Sequence, residues 1–212
     1  MIIILMGPPG AGKGTQGDLL VKKWPTFCKV STGDLLRDQI KKETEVGLKV
    51  KDVIAGGNLV DDDLLFEVLK NFLKEQGDKK ILLDGFPRTV NQAKLLDTLN
   101  NQYKVAKVVN LSIDTRVLVD RLSGRRICSQ CGAIFHVSNF IMNQEQETCP
   151  ACLSGKLVQR PDDFPDRIKN RLEVYENQTR PVIEYYKQRG ICSEVDAMGE
   201  KDQVFKRLIE TL

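Results

Sequence analysis

Residues 7–15 form a glycine-rich loop that contains Lys13, Gly14 and Thr15. The loop follows the apolar run Ile2–Met6 and precedes a helical segment, which is the strand–loop–helix context of a phosphate-binding loop. Its glycines let backbone N–H groups approach phosphate oxygens, while the helix N-terminus and Lys13 add positive charge. The generic motif has Ser or Thr directly after Lys, whereas Gly14 intervenes here. We therefore predict a nucleotide-phosphate site with Lys13 at the transferred phosphoryl group.

Four of the six cysteines form two C-x2-C pairs, Cys128 with Cys131 and Cys149 with Cys152. The spacing between the pairs matches that of zinc sites. Four thiolates suit one tetrahedral ion and leave no open position for catalysis, so the sequence predicts structural Zn²⁺. Iron as the metal, four free thiols and a disulfide framework are the alternatives, and a reducing cytosol disfavours the last.

The loop needs a sheet and helices to hold it. Apolar strand-like runs alternate with amphipathic segments, which predicts a parallel sheet covered by helices. We expect strands at 2–6, 27–30, 81–84, 105–113 and 191–195. We expect helices at 13–23, within 32–57, at 61–76, 89–99 and 114–124, from 163 onward with a kink or restart at Pro181, and at 204–212. Residues 125–162 break this alternation and hold the cysteine pairs, so they predict a small inserted domain.

Composition excludes several classes of protein. The chain has 212 residues, of which 41% are hydrophobic, and this is enough for a real core. The net charge of +3 is too weak to imply a nucleic-acid or membrane partner. The apolar run at residues 1–6 is far shorter than the roughly 20 residues that span a bilayer and has no basic segment before it. We therefore expect a cytoplasmic protein that binds neither membrane nor nucleic acid.

Motifs along the chain resemble one family. The loop form G-x-x-G-x-G-K-G-T resembles the nucleoside monophosphate kinases, and further segments resemble adenylate kinases of the long bacterial type with a zinc-binding lid. These segments are Ser31–Asp34 with Arg37, Gly57–Val60, Asp84–Thr89 with Gln92, Asp120–Arg126, Gln159–Asp163, and Arg171. The resemblance covers essentially the whole chain and keeps the order of the motifs.

The resemblance implies an α/β fold and three units. The fold is a five-stranded parallel sheet of the P-loop NTPase type with helices on both faces. The core would comprise residues 1–30, 61–124 and 163–212. Residues 31–60 would form a helical AMP-binding segment, and residues 125–162 would form the lid with its zinc site. The expected protein is a monomer.

The implied activity is the reversible, Mg²⁺-dependent transfer of the terminal phosphoryl group of ATP to AMP, giving two ADP. The residues around the transferred group would be Lys13, Arg88, Arg125, Arg160 and Arg171. The ATP site would comprise Gly10, Ala11, Gly12, Lys13, Gly14, Thr15, Arg121, Arg125, Ile134, Phe135 and Met198, with Arg121 and Phe135 flanking the adenine. The AMP site would comprise Thr32, Arg37, Asn58, Leu59, Val60, Gly85, Phe86, Pro87, Arg88, Gln92, Arg160 and Arg171, with Gln92 at the adenine edge. Thr15 and Asp84 would organise Mg²⁺, partly through water.

The chemistry agrees with the residue types. Phosphoryl transfer between nucleotides gathers negative charge, which the planar fork of arginine grips well. The acceptor oxygen is already anionic, so no general base is needed, and the chain has a single histidine, His136. Three residues depart from the family pattern: Phe164 and Pro165 stand where the family often has acidic and polar residues after the lid, and Phe135 replaces a frequent tyrosine.

Two other functions compete with this interpretation. UMP, CMP or GMP could be the acceptor in place of AMP. A zinc-ribbon protein that binds nucleic acid is the alternative from another class. Residues 131–149 contain no Lys or Arg and include Glu145 and Glu147, which suits a phosphate backbone poorly.

Overall fold

The computed structural model describes residues 1–99, 101–139 and 148–212. The eight strands of this part of the chain are β1 Ile2–Met6, β2 Phe27–Ser31, β3 Lys80–Asp84, β4 Val105–Ser112, β5 Arg125–Cys128, β6 Ile134–His136, β7 Leu157–Val158 and β8 Cys192–Asp196. The helices are α1 Lys13–Lys23, α2 Thr32–Lys41, α3 Glu45–Ala55, α4 Asp62–Glu75, α5 Val90–Asp97, α6 Leu118–Ser123, α7 Pro165–Val174, α8 Arg180–Gln188 and α9 Lys201–Ile209.

Five strands form the main sheet in the order β2-β3-β1-β4-β8, and every neighbouring pair is parallel. The central strand β1 is buried on both faces, as its uninterrupted apolar sequence predicts. Ile2, Ile4 and Met6 pack in one cluster with α4, α5 and α8, whereas Ile3 and Leu5 pack in a second cluster with α1 and α9. The predicted five-stranded parallel sheet with helices on both faces is therefore confirmed.

Local hydrogen bonding explains where helix ends differ from the sequence prediction. Helix α9 begins three residues earlier than expected, because Glu200 and Gln203 form a capping box. The helix expected from Asp114 begins instead as a 3₁₀ turn at Thr115–Val117, where the Asp114 side chain accepts a hydrogen bond from the Arg116 N–H.

The long helix after Pro165 continues without a break through a wide π turn. The turn spans Tyr175–Thr179 and joins α7 to α8 just before Pro181. Proline has no N–H to donate and its ring crowds the preceding turn, so a widened turn accommodates it without ending the helix. The expected kink or restart at Pro181 takes this form.

Two segments project from the sheet. Helices α2 and α3 fill most of residues 31–60. They approach each other closely at Gly47, where a Cβ would lie only 2.1 Å from the Gln39 carbonyl oxygen. Residues 125–162 contain a three-stranded sheet in the order β6-β5-β7, with both pairs antiparallel. Residues 140–147 of this segment, with Glu145 and Glu147, lie outside the described residues.

His136 of β6 touches the end of α6 where this second sheet joins the first. Its Nε2 lies 3.0 Å from the Asp120 carbonyl oxygen. A Cβ at Gly124 would lie only 2.2 Å from that same nitrogen. Glycine at position 124 therefore allows the ring to pack against the backbone. Within the described residues, no helix is both long and apolar enough to cross a membrane.

Candidate active site

The phosphate-binding loop lies at the carboxyl end of β1. Gly7 has φ 135°, and a Cβ there would lie 2.6 Å from the Leu111 carbonyl oxygen in β4. Gly12 caps α1 with φ 94° and ψ 12°, in the left-handed region that favours glycine. The Lys13 ammonium group donates hydrogen bonds to the carbonyl oxygens of Gly7 (2.8 Å) and Pro8 (3.0 Å). These bonds hold the lysine across its own loop.

A cleft of about 1330 Å³ runs from this loop between the two projecting segments. It brings together almost all the residues predicted to bind nucleotides. The predicted residues that line it are Gly10, Ala11, Gly12, Lys13, Gly14, Thr15, Thr32, Arg37, Asn58, Leu59, Val60, Asp84, Gly85, Phe86, Pro87, Arg88, Gln92, Arg121, Arg125, Ile134, Phe135, Arg160 and Arg171. Met198 is not among the lining residues, although its neighbours Ala197 and Gly199 are.

The phosphate end of the cleft carries crowded positive charge. Burial above all, followed by the repulsion of nearby arginines such as Arg88 and Arg171, lowers the pKa of Lys13 to about 8, against the attraction of Asp84. Burial and Arg171 likewise lower the pKa of Arg88 to about 10. A site that disfavours its own cations in this way is stabilised by an incoming anion.

Arg160 has an unused donor. Its Nε is buried and has no hydrogen-bond partner among the described residues. The carboxylate of Asp34 lies 3.9 Å from its Nη2. Burial, and then the charge of Arg37, lowers the pKa of Arg160 to about 10. A buried guanidinium with an unpaired N–H is costly, so this side chain is suited to a phosphate oxygen.

Asp162 and Asp163 hold two of the predicted arginines, a role that the sequence analysis did not assign. Arg125 grips Asp163 with two hydrogen bonds, Nε to Oδ2 at 2.8 Å and Nη2 to Oδ1 at 2.6 Å. Arg171 Nη1 lies 2.7 Å from Asp163 Oδ1 and 3.0 Å from Asp162 Oδ2. The side chain of Asp163 is fully buried. Two adjacent acids close to Arg160 in the sequence were the only signal for this arrangement.

The part of the cleft that is predicted to bind AMP is built on the loop after β3. The Thr32 hydroxyl and Arg88 Nε each donate to the Gly85 carbonyl oxygen at 2.8 Å. Arg37 pairs with Asp34 at 2.5 Å. Although burial alone would raise it, the charge of Arg37 holds the pKa of Asp34 below its usual value. Thr32 and Arg88 therefore meet at Gly85, whereas Arg37 is held by Asp34 on α2.

Gln92 of α5 lines the cleft and is fully buried, with both ends of its amide bonded. Its Oε1 accepts from the Arg88 backbone N–H at 2.7 Å, and its Nε2 donates to Asp62 Oδ1 at 2.7 Å. Asp62, at the start of α4, was not singled out from the sequence. Its partners are about thirty residues away along the chain, so only the tertiary structure reveals the contact.

The turn after β8 also borders the cleft, and side chains of α9 and α6 hold it in place. Arg207 of α9 donates to the Met198 carbonyl oxygen and pairs with Asp196. Arg121 Nη2 lies 3.5 Å from the Ala197 carbonyl oxygen. Arg121 thus lies at this turn as well as in the cleft, while Arg207 is a further supporting residue that the sequence analysis missed.

Asp84 and Thr15 supply oxygen atoms beside the phosphate-binding loop. Both line the cleft. Asp84 Oδ2 lies 3.5 Å from the place that a Cβ of Gly14 would occupy, so its carboxylate faces the start of α1. Magnesium prefers oxygen ligands and usually retains several waters with one or two protein groups. The donor set therefore fits Mg²⁺.

The four paired cysteines converge in the second sheet. Their sulfur atoms all lie within 4.8 Å of one another, with Cys128 and Cys152 at 3.6 Å and Cys131 and Cys149 at 3.7 Å. A tetrahedral zinc ion with Zn–S bonds of about 2.3 Å requires sulfur atoms about 3.8 Å apart. The Gly155 N–H donates to Cys152 Sγ, and this and other backbone donors lower the pKa of Cys152 to about 6. The cluster fits a structural zinc site.

Comparison with known proteins agrees with this geometry. The family model for adenylate kinase matches residues 5–191. A protein named adenylate kinase from Clostridium tetani is 42% identical, over all of this chain and 98% of its own length. Proteins of the same name from Caldicellulosiruptor bescii and Methanocella arvoryzae are each 44% identical, covering 95% and 96% of this chain and 93% and 94% of their own lengths.

Proposed function

The chain belongs to the adenylate kinase family, and we propose that its cleft transfers the terminal phosphoryl group of ATP to AMP through Lys13 and four arginines. The observation that carries this proposal is their convergence: Lys13, Arg88, Arg125, Arg160 and Arg171 all line one cleft. ATP, AMP and ADP are its substrates, and the reaction maintains the balance of adenine nucleotides.

Positioning and electrostatic stabilisation account for the chemistry. The acceptor is an anionic phosphate oxygen, so the protein has no proton to remove from it. Lys13 and the arginines neutralise the charge that develops on the transferred group and hold donor and acceptor in line. Before nucleotides bind, the carboxylates of Asp162 and Asp163 keep Arg125 and Arg171 oriented. Little reorganisation of these side chains is therefore needed when the phosphates arrive.

The ATP side comprises the loop residues and the second sheet. The backbone N–H groups of residues 10–15 would bind the phosphates, with the N-terminus of α1 adding its dipole. Arg121 and Phe135 would enclose the adenine, and Ile134 would add apolar contact. The turn at residues 197–199 would close the far end, with Gly199 in place of Met198 as the residue that faces the cleft.

The AMP side comprises residues from α2, the loop before α4 and the loop after β3. Thr32, Arg37, Arg88, Arg160 and Arg171 would contact the phosphate and ribose. Asn58, Leu59, Val60, Gly85, Phe86 and Pro87 would line the walls. Gln92, which lines the cleft although it is buried, would contact the adenine edge.

Adenylate kinases use Mg²⁺ with ATP. Here Asp84 and Thr15 would hold the ion, partly through water, and when bound it supplies positive charge to the phosphate oxygens. Lys13 binds the phosphoryl group that is transferred, and the arginines orient the phosphates of donor and acceptor. The two projecting segments exclude water, which is the competing acceptor.

We also propose the arrangement around the reaction. Residues 31–60 and 125–162 would act as mobile covers over a core formed by 1–30, 61–124 and 163–212. The zinc site would stabilise the second cover without entering the reaction. The protein would work as a cytoplasmic monomer without a nucleic-acid or membrane partner. The zinc cluster alone permits a nucleic-acid binder, but Arg125 and Arg160 of this segment line the cleft, so their charge serves the nucleotide.

A coupled assay of ADP formation tests this function. We expect AMP to be the preferred acceptor over UMP, CMP and GMP at equal concentrations with ATP and Mg²⁺. Replacement of Gln92 by alanine should raise the KM for AMP and leave the KM for ATP unchanged. A greater kcat/KM with another monophosphate would contradict the assignment. Metal analysis of the same sample would decide between zinc and iron.

A further inference from the structure

Asp62 gathers three side-chain donors at the edge of the proposed AMP site. Its Oδ2 accepts from the Thr89 hydroxyl and the Asn91 amide, each at 2.9 Å. Its Oδ1 accepts from Gln92 Nε2 at 2.7 Å. Asp63, the next residue, lies in the same first turn of α4 and is exposed. The concentration of bonds on one carboxylate distinguishes Asp62 from its neighbour.

The partners of Gln92 allow only one orientation of its amide. A carboxylate accepts hydrogen bonds and cannot donate them, so it must face the NH₂ group. The Arg88 backbone N–H can only donate, so it must face the carbonyl oxygen. Rotating the amide by half a turn would place Oε1 against the Asp62 carboxylate and Nε2 against the Arg88 N–H. Both contacts would then be repulsive in a buried place.

The fixed amide has a defined hydrogen-bonding face left over. An amide nitrogen has two N–H donors and its oxygen has two lone pairs. Asp62 and Arg88 each take one, which leaves one donor and one acceptor in a set order. Adenine offers an acceptor at N1 and a donor at its 6-amino group. Hypoxanthine and guanine offer a donor at N1 and an acceptor at O6, which needs the rotated amide.

We infer that Asp62 is a specificity-determining residue that acts through Gln92. By fixing the amide, it makes the site select 6-amino purines over 6-oxo purines without touching the base. This inference rests on the proposed function, in which Gln92 contacts the acceptor base. A merely structural role, in which Asp62 only ties α4 to α5, predicts loss of stability with no change in base preference.

The test compares Asp62→Asn with Asp63→Asn, since both remove one negative charge from the first turn of α4. In the first variant the new amide at position 62 can donate to Gln92 Oε1, so one of the two repulsive contacts of the rotated amide disappears. We measure kcat/KM for AMP and for IMP with saturating ATP. The ratio of AMP to IMP should fall about tenfold in Asp62→Asn, chiefly through a lower KM for IMP. It should stay unchanged in Asp63→Asn, and neither variant should change the KM for ATP.

The outcomes separate this inference from the proposed function. Equal AMP to IMP ratios in the two variants would overturn the role of Asp62, provided that Gln92→Ala raises the KM for AMP. If Gln92→Ala leaves that KM unchanged, Gln92 does not contact the acceptor, and the proposed assignment fails first.

A measurement on the unmodified protein covers the case in which Asp62→Asn does not fold. The Gln92 side-chain amide hydrogens, held between Asp62 and the Arg88 backbone, should exchange slowly with solvent in NMR spectra of the protein with and without AMP. Rapid exchange without AMP would mean that the amide is not fixed, and the inference would be wrong.

Discussion

The phosphate-binding loop and the second sheet are held in place by different means. The loop extends from β1, whose five residues are all buried between two apolar clusters. Among the described residues of 125–162, the buried apolar side chains are Cys128 and Cys149, which are two of the four candidate zinc ligands. Packing therefore fixes the reacting end of the cleft, whereas a metal would take the place of a core in its cover. Catalysis and cover stability should thus respond to different changes.

Replacement of Lys13 by alanine gives the largest expected effect. It removes the one ammonium group of the phosphate loop, and we expect ADP formation to fall by about 10³-fold or more. Stability should not fall, because the side chain packs in neither apolar cluster and its burial as a cation is unfavourable. The coupled assay and thermal unfolding measure the two quantities. Lys22→Ala, at an exposed lysine of the same helix, is the matched control, and full activity of Lys13→Ala would contradict the assignment.

Removal of the metal should give the reverse pattern. Chelation, or Cys149→Ser, should lower the Tm by about 10 °C, since loss of a few kcal/mol shifts a domain of this size by several degrees. Turnover at 25 °C should fall much less. Cys28→Ser changes a thiol outside the cluster and should leave both the metal content and the Tm nearly unchanged. Reversible loss of all turnover on chelation, with the Tm preserved, would make the metal catalytic.

Asp163 joins the two regions, because it bonds Arg125 at the edge of the cover and Arg171 in the core helix α7. Asp163→Asn should cost about 3 kcal/mol of unfolding free energy, as breaking a buried ion pair does. It should also lower kcat about tenfold through less well oriented arginines. Denaturant unfolding and steady-state kinetics measure these effects. Asp166→Asn, at an exposed acid of α7, should change neither the unfolding free energy nor kcat. Equal behaviour of the two variants would show that Asp163 does not position the arginines.

Proton uptake on nucleotide binding gives the smallest effect. The pKa of Lys13 is about 8 in the free protein, below the usual 10.5, chiefly because of burial. Phosphate should raise it again, so at pH 8.5 up to about one proton should bind with ATP. At pH 6.5 the lysine is already charged, and no uptake by it is expected. Calorimetry in two buffers with different ionisation enthalpies measures the uptake, which Lys13→Met should abolish.

The lowered pKa of Lys13 also sets the sign of its effect on folding. Below pH 8 the lysine is protonated in both the folded and the unfolded chain, and its burial as a cation costs stability. Between pH 8 and 10.5 the folded chain releases the proton while the unfolded chain retains it. The contribution of this group to stability therefore rises with pH through that window.

Local sequence patterns were enough to predict both the phosphate-binding loop and the cysteine cluster of the second sheet. The strand, the glycine loop and Lys13 lie within fifteen residues, and each cysteine pair occupies four. Backbone geometry at short range fixes such units, so the five-stranded sheet and the metal cluster were predictable.

Contacts between segments that lie far apart in the sequence could not be predicted. The bond between Asp62 and Gln92 and the bond between Arg125 and Asp163 join residues 30 and 38 positions apart. Which acid meets which donor depends on how α4 packs on α5 and on where β5 meets the turn at Pro161–Asp163, and one sequence carries no local sign of it. The π turn before Pro181 is similar, since proline predicts a disturbance but not its form.

Gly124 ends α6 at the point where the proposed cover, residues 125–162, begins. Any side chain at this position would push His136 away from the end of α6, because its Cβ would occupy the place of the imidazole Nε2. The bond to the Asp120 carbonyl oxygen would then be lost, and His136, which itself lines the cleft, would move. We expect an alanine at this position to change how the proposed cover opens and closes, and through it the rate of product release, while Lys13 and the arginines stay in place.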